Sequence, residues 1–192
     1  IYWLLIPVFL FLAFLSKQVP AGYFLILITI ISFIYFIFNF KIERIIYIFV
    51  GSIFVLGIFL LVIYFYKISI NSIIEQYFLF PLSLGETRTE WVFPLEFKRV
   101  VLRYKLNYIA LGIPIYILFK NFYKNFKNIF NNESLIILTL IGTLLIFVFH
   151  QLMTINGLFI FFCIPIFCGF SHIFLKKYFK GKKYLVNFFI IL

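Results

Sequence analysis

Residues 67–105 read KISINSIIEQYFLFPLSLGETRTEWVFPLEFKRVVLRYK, the one long polar interruption in an otherwise apolar chain. Four of the six carboxylates lie in it, Glu75, Glu86, Glu90 and Glu96, beside six basic residues, Lys67, Arg88, Lys98, Arg99, Arg103 and Lys105. Apolar segments long enough to cross a bilayer flank it on both sides. In 68–80, Ile70, Ile73, Ile74, Tyr77 and Phe78 recur at helical spacing, with Asn71, Glu75 and Gln76 on the other face. That is the pattern of a helix lying at a membrane surface. Pro81 is expected to end this helix, and 82–89, which contains Gly85, is expected to be loop. Residues 90–105 are amphipathic again, with Pro94 interrupting their start. Trp91 and Tyr104 suit the headgroup level.

The 192 residues are 65% hydrophobic and 24% aromatic, whereas soluble domains are roughly 45–50% apolar. A soluble chain of this composition would have no way to cover its apolar surface. The chain therefore reads as a multi-pass integral membrane protein in contact with membrane lipid. Its net charge of +11 is explained by Lys and Arg in cytoplasmic turns, so no nucleic-acid partner is expected. Asp is absent from the sequence. Cys163 and Cys168 fall in one apolar segment and suggest neither a disulfide framework nor a metal site.

The expected fold class is all-α, a polytopic transmembrane helix bundle forming a single domain over 1–192. Six spans are expected, over 1–15, 23–40, 45–66, 106–119, 134–149 and 158–175, and a truncated seventh begins at Tyr184. Each has length enough for a hydrocarbon core of about 30 Å at 1.5 Å per residue, or gains it from its flanks. Pro20 and Gly22 place a tight turn over 16–22. Gly51, Ser52 and Gly57 read as small residues for helix packing. Pro165 is expected mid-span, tolerated because neighbouring helices re-satisfy the freed carbonyl. The chain opens on Ile in apolar sequence and stops partway into a span, so an internal fragment of a longer polytopic protein is expected.

Charge assigns the turns to two sides. Lys41, Arg44, Lys120, Lys124, Lys127 and the five lysines over 176–183 fall on one side, and among short turns only Lys17 falls on the other. The lysine-rich side is cytoplasmic by the positive-inside rule. Residues 16–18, the stretch 67–105 and the turn expected over 150–157 then share the extracytoplasmic face.

Several of these segments resemble a known family. The span ending Phe14-Leu15-Ser16-Lys17 resembles the Leu-Ser/Thr-Lys element of GT-C class membrane glycosyltransferases, relatives of protein O-mannosyltransferases and of the aminoarabinose transferase of lipid A. His150-Gln151-Leu152-Met153-Thr154-Ile155-Asn156, followed by Phe159-Ile160-Phe161-Phe162 and Ile164-Pro165, resembles a later hydrophobic segment of such enzymes. The run from Gln76 through Pro81 to Gly85-Glu86-Thr87-Arg88 is similar to the start of their large extracytoplasmic loop. The resemblance implies transfer of a sugar from a polyprenyl-phosphate donor at the extracytoplasmic face of a bacterial cell membrane. It also implies a catalytic acidic residue in a first outer loop that this chain does not contain. No catalytic residue is assigned, and the acceptor and cofactors stay open.

The candidate donor-phosphate or sugar-binding residues are Lys17, Gln18, Glu86, Arg88, His150 and Asn156. Lys17 offers a point charge for phosphate, or simply snorkels to the headgroups. Gln18 bonds a sugar hydroxyl or caps the turn. Arg88 can hold phosphate bidentately or contact anionic lipid, with Glu86 orienting it or standing solvated. His150 is an acid–base or phosphate group, or a structural interface histidine. No pair of His or Cys has zinc-ligand spacing, and there is no glycine-rich phosphate loop. Two other functions remain open. One is a transporter or flippase of lipid-linked saccharides, which should carry polar groups at mid-bilayer depth. The other is a structural subunit.

Overall fold

The structure is a computed structural model that describes residues 2–92, 95–124, 130–155 and 159–179, without the side chains at 86, 87, 89 and 91. The described residues form helices joined by short turns, with no strand among them. An apolar backbone in lipid must close its own hydrogen bonds, and a helix does this within one segment. Hydroxyls follow the same rule: Thr29 donates to Leu25 O at 2.7 Å, Ser52 to Ile48 O at 2.9 Å, and Thr139 to Leu135 O at 2.8 Å.

The chain divides into two compact units, Ile1–Glu90 and Trp91–Leu192. The first contains α1 (Tyr2–Ser16), α2 (Gln18–Phe38), α3 (Ile42–Tyr66), α4 (Ile70–Ile74), a π-helical turn (Glu75–Leu79) and the greater part of α5 (Phe80–Val92). The second contains a π-helical turn (Lys98–Leu102), α6 (Lys105–Ala110), α7 (Gly112–Lys124), α8 (Asn132–Thr154), a 3-10 turn (Phe159–Cys163) and α9 (Ile164–Tyr178).

Among the described residues four helical segments are long and apolar enough to cross a membrane: Gln18–Phe38, Ile42–Tyr66, Asn132–Thr154 and Phe159–Tyr178. This is consistent with an integral membrane protein, but it does not support the expected count of six complete spans. The apolar helix α1 has only 15 residues, about 22 Å at 1.5 Å per residue. The segment 106–119 is distorted at Leu111, whose φ of −90° and ψ of 0° leave the helical region although its N–H still donates to Asn107 O at 3.2 Å and its carbonyl accepts from Ile115 N at 3.0 Å. Residues 184–192, the expected seventh span, lie outside the described residues.

Other boundaries also move. The break after α1 is a single extended residue, Lys17 (φ −159°, ψ 110°), followed by non-helical Val19 (φ −111°, ψ 119°) and a cis Val19–Pro20 bond. Residues 82–89 are helical, not loop. Pro81 lies inside a helical run that continues from Ile70 through the π-helical turn to Val92, so it does not end the helix. Pro165 lies within the apolar segment Phe159–Tyr178, as expected, where the 3-10 turn passes into the first turn of α9. The turn expected over 150–157 begins later, because α8 continues to Thr154 and closes on Ile155 in the left-handed region (φ 54°).

In the first unit, α1 packs along α3. A Cβ at Gly51 would lie 3.2 and 3.3 Å from the carbonyl carbon and Cα of Leu4, and closer still to its oxygen, so the glycine lets two backbones meet. Phe11 meets Phe59 edge to face at 5.2 Å, so the helices run parallel. In the second unit the core faces follow helical periodicity. Ile137, Leu140, Leu144, Val148 and Leu152 form the buried stripe of α8, and Ile164, Phe167, Cys168, Ser171 and Leu175 that of α9. Asn131 Oδ1 accepts from Ser134 N at 2.7 Å and caps α8. Asn131→Ala is expected to cost about 1 kcal/mol, read as a lower melting temperature in detergent.

Candidate functional site

The first unit carries three sequence candidates. Lys17, exposed, separates α1 from α2, and its N–H still donates to Ala13 O at 2.9 Å. Gln18 is half-buried at the start of α2. Phe14, one turn before Lys17, meets Tyr77 and Phe78 at ring distances of 5.9 and 6.2 Å. The beginning of the 67–105 stretch therefore folds against the Lys17 end of α1. Arg88 is half-buried on α5, while the side chain of Glu86 lies outside the described residues.

Two apolar clefts flank the α1–α3 seam and share Phe11 and Val55. One, of about 830 Å³, lies between α1, α2 and α3 and reaches Phe14, Ala21 and Phe78. The other, of about 500 Å³, is closed on one side by Ser72, Gln76 and Tyr77. The hydroxyls of Thr29 and Ser52, which line the larger cleft, are spent on their own helices. Its wall therefore favours hydrocarbon over a polar ligand.

The opposite end of this unit is organised by Arg44, which sequence reading treated as an ordinary turn cation. Its Nη1 donates to Tyr35 Oη at 2.5 Å and to Asn39 O at 3.1 Å, and the guanidinium lies 5.0 and 5.8 Å from the ring centroids of Tyr35 and Trp3.

The second unit has two chemically different ends. At one, Glu133 on the first turn of α8 accepts from Lys177 Nζ and Tyr178 Oη on the last turn of α9. Asn121 Nδ2 donates to Ser134 Oγ at 3.3 Å, which brings the end of α7 to the same place. Lys120, Lys124, Lys176 and Lys177 accordingly gather there. The α6–α7 pair runs parallel to α9: Ser171 Oγ donates to Ala110 O, and Tyr116 meets Phe179 at 6.0 Å. The start of α6 therefore lies toward the end where α8 finishes.

At that second end stand Tyr104, Asn107, His150 and Gln151, all buried. His150, expected in a water-exposed turn, is 3% exposed and lies within α8. Asn156, the last candidate, lies outside the described residues. Asn107 and Gln151 were missed as site residues by sequence reading. Their signal was a lone amide within an apolar run, which in a membrane segment is costly and tends to be functional. Both side-chain atoms of Asn107, both of Gln151 and Tyr104 Oη find no hydrogen-bond partner among the described residues. Leaving such a group unpaired costs roughly 1–3 kcal/mol.

Burial pushes the Tyr104 phenol up, against the opposing fields of Arg103 and Arg99, so it stays protonated and can donate at neutral pH. Tyr108 is raised by burial and by neighbouring Tyr104, and its hydroxyl donates to Val100 O at 3.1 Å. The Arg103 guanidinium lies 5.8 Å from the Tyr104 ring centroid. Among the described residues no three His, Cys, Asp or Glu side chains group to hold a metal ion.

The candidates thus remain in separate units, Lys17, Gln18 and Arg88 in one and His150 in the other. Comparison with protein families, curated proteins and solved structures returns no match.

Proposed function

We propose that this chain is membrane-embedded machinery of a glycosyltransferase that takes a sugar from a polyprenyl-phosphate donor at the extracytoplasmic face of a bacterial cell membrane. The observation that carries this reading is the chemical polarity of the units. In the second, lysines and Glu133 occupy one end, and Tyr104, Asn107, His150 and Gln151 the other. In the first, Lys41 and Arg44 stand at one end of α3, while Lys17 and the start of the 67–105 stretch meet at the opposite end. Lysine-rich ends belong in the cytoplasm, so the hydrogen-bonding end and Lys17 face outward, where a lipid-linked sugar donor is used.

In this reading Lys17 and Arg88 hold the donor phosphate, and the apolar clefts beside α1 receive its hydrocarbon tail. Gln18, Glu86 and Asn156 remain candidate sugar ligands. Lys17→Ala in the intact protein is expected to cut transfer from a polyprenyl-phosphate sugar by about tenfold or more, the loss of one charge-assisted phosphate contact. Transfer at the unsubstituted rate would remove Lys17 from the site.

A second reading, movement of a lipid-linked saccharide across the bilayer, is favoured by one feature. The helix over 105–124 is interrupted at Leu111 next to buried Asn107, and discontinuous helices carry many transport sites. Passage of the saccharide across sealed vesicles without sugar transfer would select this reading.

A further inference from the structure

Five polar atoms in the second unit, Tyr104 Oη, Asn107 Oδ1 and Nδ2, and Gln151 Oε1 and Nε2, have no hydrogen-bond partner among the described residues. More than nine in ten buried polar groups in folded proteins are paired. These five sit on three residues whose neighbours in sequence belong to one core: Tyr104 itself, Ala110 and Leu111 around Asn107, and Val148, Leu152 and Met153 around Gln151. Asn107 and Tyr104 have no exposed surface, which leaves no room for water against them. The described form is therefore closed around these groups and leaves their hydrogen-bonding capacity unused.

The backbone supplies a means of opening. Helix α6 has only six residues and is bounded by departures from helical geometry at both ends, Tyr104 (φ −109°, ψ 20°) and Leu111 (φ −90°, ψ 0°). Gly112 follows with open space where a Cβ would stand. A π-helical turn, Lys98–Leu102, precedes it, and such wide turns recur at functional sites. Outside these breaks, α6 is fastened to α9 through the Ser171 hydroxyl on Ala110 O.

We propose that Tyr104, Asn107 and Gln151 form a closed binding site for an uncharged, hydroxyl-rich ligand of the carbohydrate class, and that it opens by movement of α6 about Leu111–Gly112. The chemistry selects the ligand. Each amide offers one acceptor and a donor pair, and the phenol offers one of each, which matches hydroxyl groups. None of these atoms carries charge, and together they both donate and accept, so they suit neutral hydroxyls better than an anion, which can only accept. The identity of the ligand rests on the glycosyltransferase reading, whereas the opening rests on the geometry alone.

The test replaces Cys163 and Cys168 with Ala and introduces a single cysteine at 107, 151 or, as a buried reference in the same unit, 137. Each variant is treated in detergent with a water-soluble maleimide. Asn107→Cys and Gln151→Cys are expected to react at least about tenfold faster than Ile137→Cys, as for residues exposed by a local opening. Millimolar methyl glucoside is expected to slow each of them, held by the two ligand residues that remain in that variant, and to leave 137 unchanged. Reaction as slow as at 137 overturns the opening, and fast reaction without protection overturns the carbohydrate site.

Asn107→Leu in the protein with its native cysteines gives an independent reading. Removing an unpaired amide in favour of an apolar side chain of similar size is expected to hold or raise the melting temperature, and a clear drop would show that the amide has a partner. None of these measurements requires sugar transfer, so failure of the enzyme reading and failure of the opening are told apart.

Discussion

Gly51→Ala is expected to destabilise the first unit by about 1–3 kcal/mol, the usual range for forcing extra atoms into a close-packed contact. The added methyl meets the carbonyl of Leu4, which is backbone and cannot rotate aside. Helix association in a bilayer gains little from apolar transfer, since lipid tails are as apolar as the side chains, and depends instead on close packing. Moving α1 off α3 therefore loses the main contact of this unit without a compensating term. Gly57→Ala, on the same helix with nothing within 4 Å of its would-be Cβ, serves as the control and is expected to be neutral or slightly stabilising by helix propensity. Thermal unfolding in detergent, followed by the fluorescence of Trp3 in chains that also carry Trp91→Phe, separates the two outcomes. Equal melting temperatures for the two variants would refute the close approach.

The second large effect is expected at Arg44. Arg44→Met removes a hydrogen bond to the Tyr35 hydroxyl, another to Asn39 O, and the stacking of the cation on Trp3 and Tyr35. Hydrogen bonds involving a charged group contribute roughly 1.5–3 kcal/mol and a cation over an aromatic face about 0.5–1 kcal/mol at exposed sites. The variant is expected to lose at least about 2 kcal/mol on these terms, with a shift in Trp3 emission. Arg44→Lys should recover only part, because an ammonium does not offer the planar fork that serves two acceptors at once. Full recovery by lysine would mean that the position needs only a charge. The Trp3–Tyr35–Phe36 ring contacts, at 5.3 and 5.2 Å, give the indole a defined environment against which either change is read.

These two positions illustrate how local and non-local information divide in this chain. Gly51 was legible as a small residue for packing, but its partner, Leu4, was not. Arg44 was legible only as one more cation of a turn, because Trp3 and Tyr35 reach it through the packing of α1 and α2. The spans over 18–38, 42–66 and 132–154 followed closely from the run of apolar residues. Where polar residues appeared, the reading ended helices too soon. His150 and Gln151 were taken as the beginning of a turn, yet α8 continues through them because their side chains are buried in the unit. Residues 82–89 were taken as loop for their polarity and Gly85, yet the helical run that begins at Ile70 passes through Pro81 and on to Val92. The segment 106–119 was read as regular although its backbone is distorted at Leu111, which no local signal beyond Gly112 and Pro114 announced.

The sequence by itself determined that this chain is helical and apolar enough to cross a membrane, because in lipid a backbone must bond to itself and the length of an apolar run is a local property. Only the tertiary structure decided which polar groups are enclosed and which are paired. Ser171 finds Ala110 across 61 residues, Glu133 finds Lys177 and Tyr178, and Asn107 and Gln151 are shut away without partners. Those facts depend on which helix faces meet, and hydrophobicity in one dimension carries no record of that.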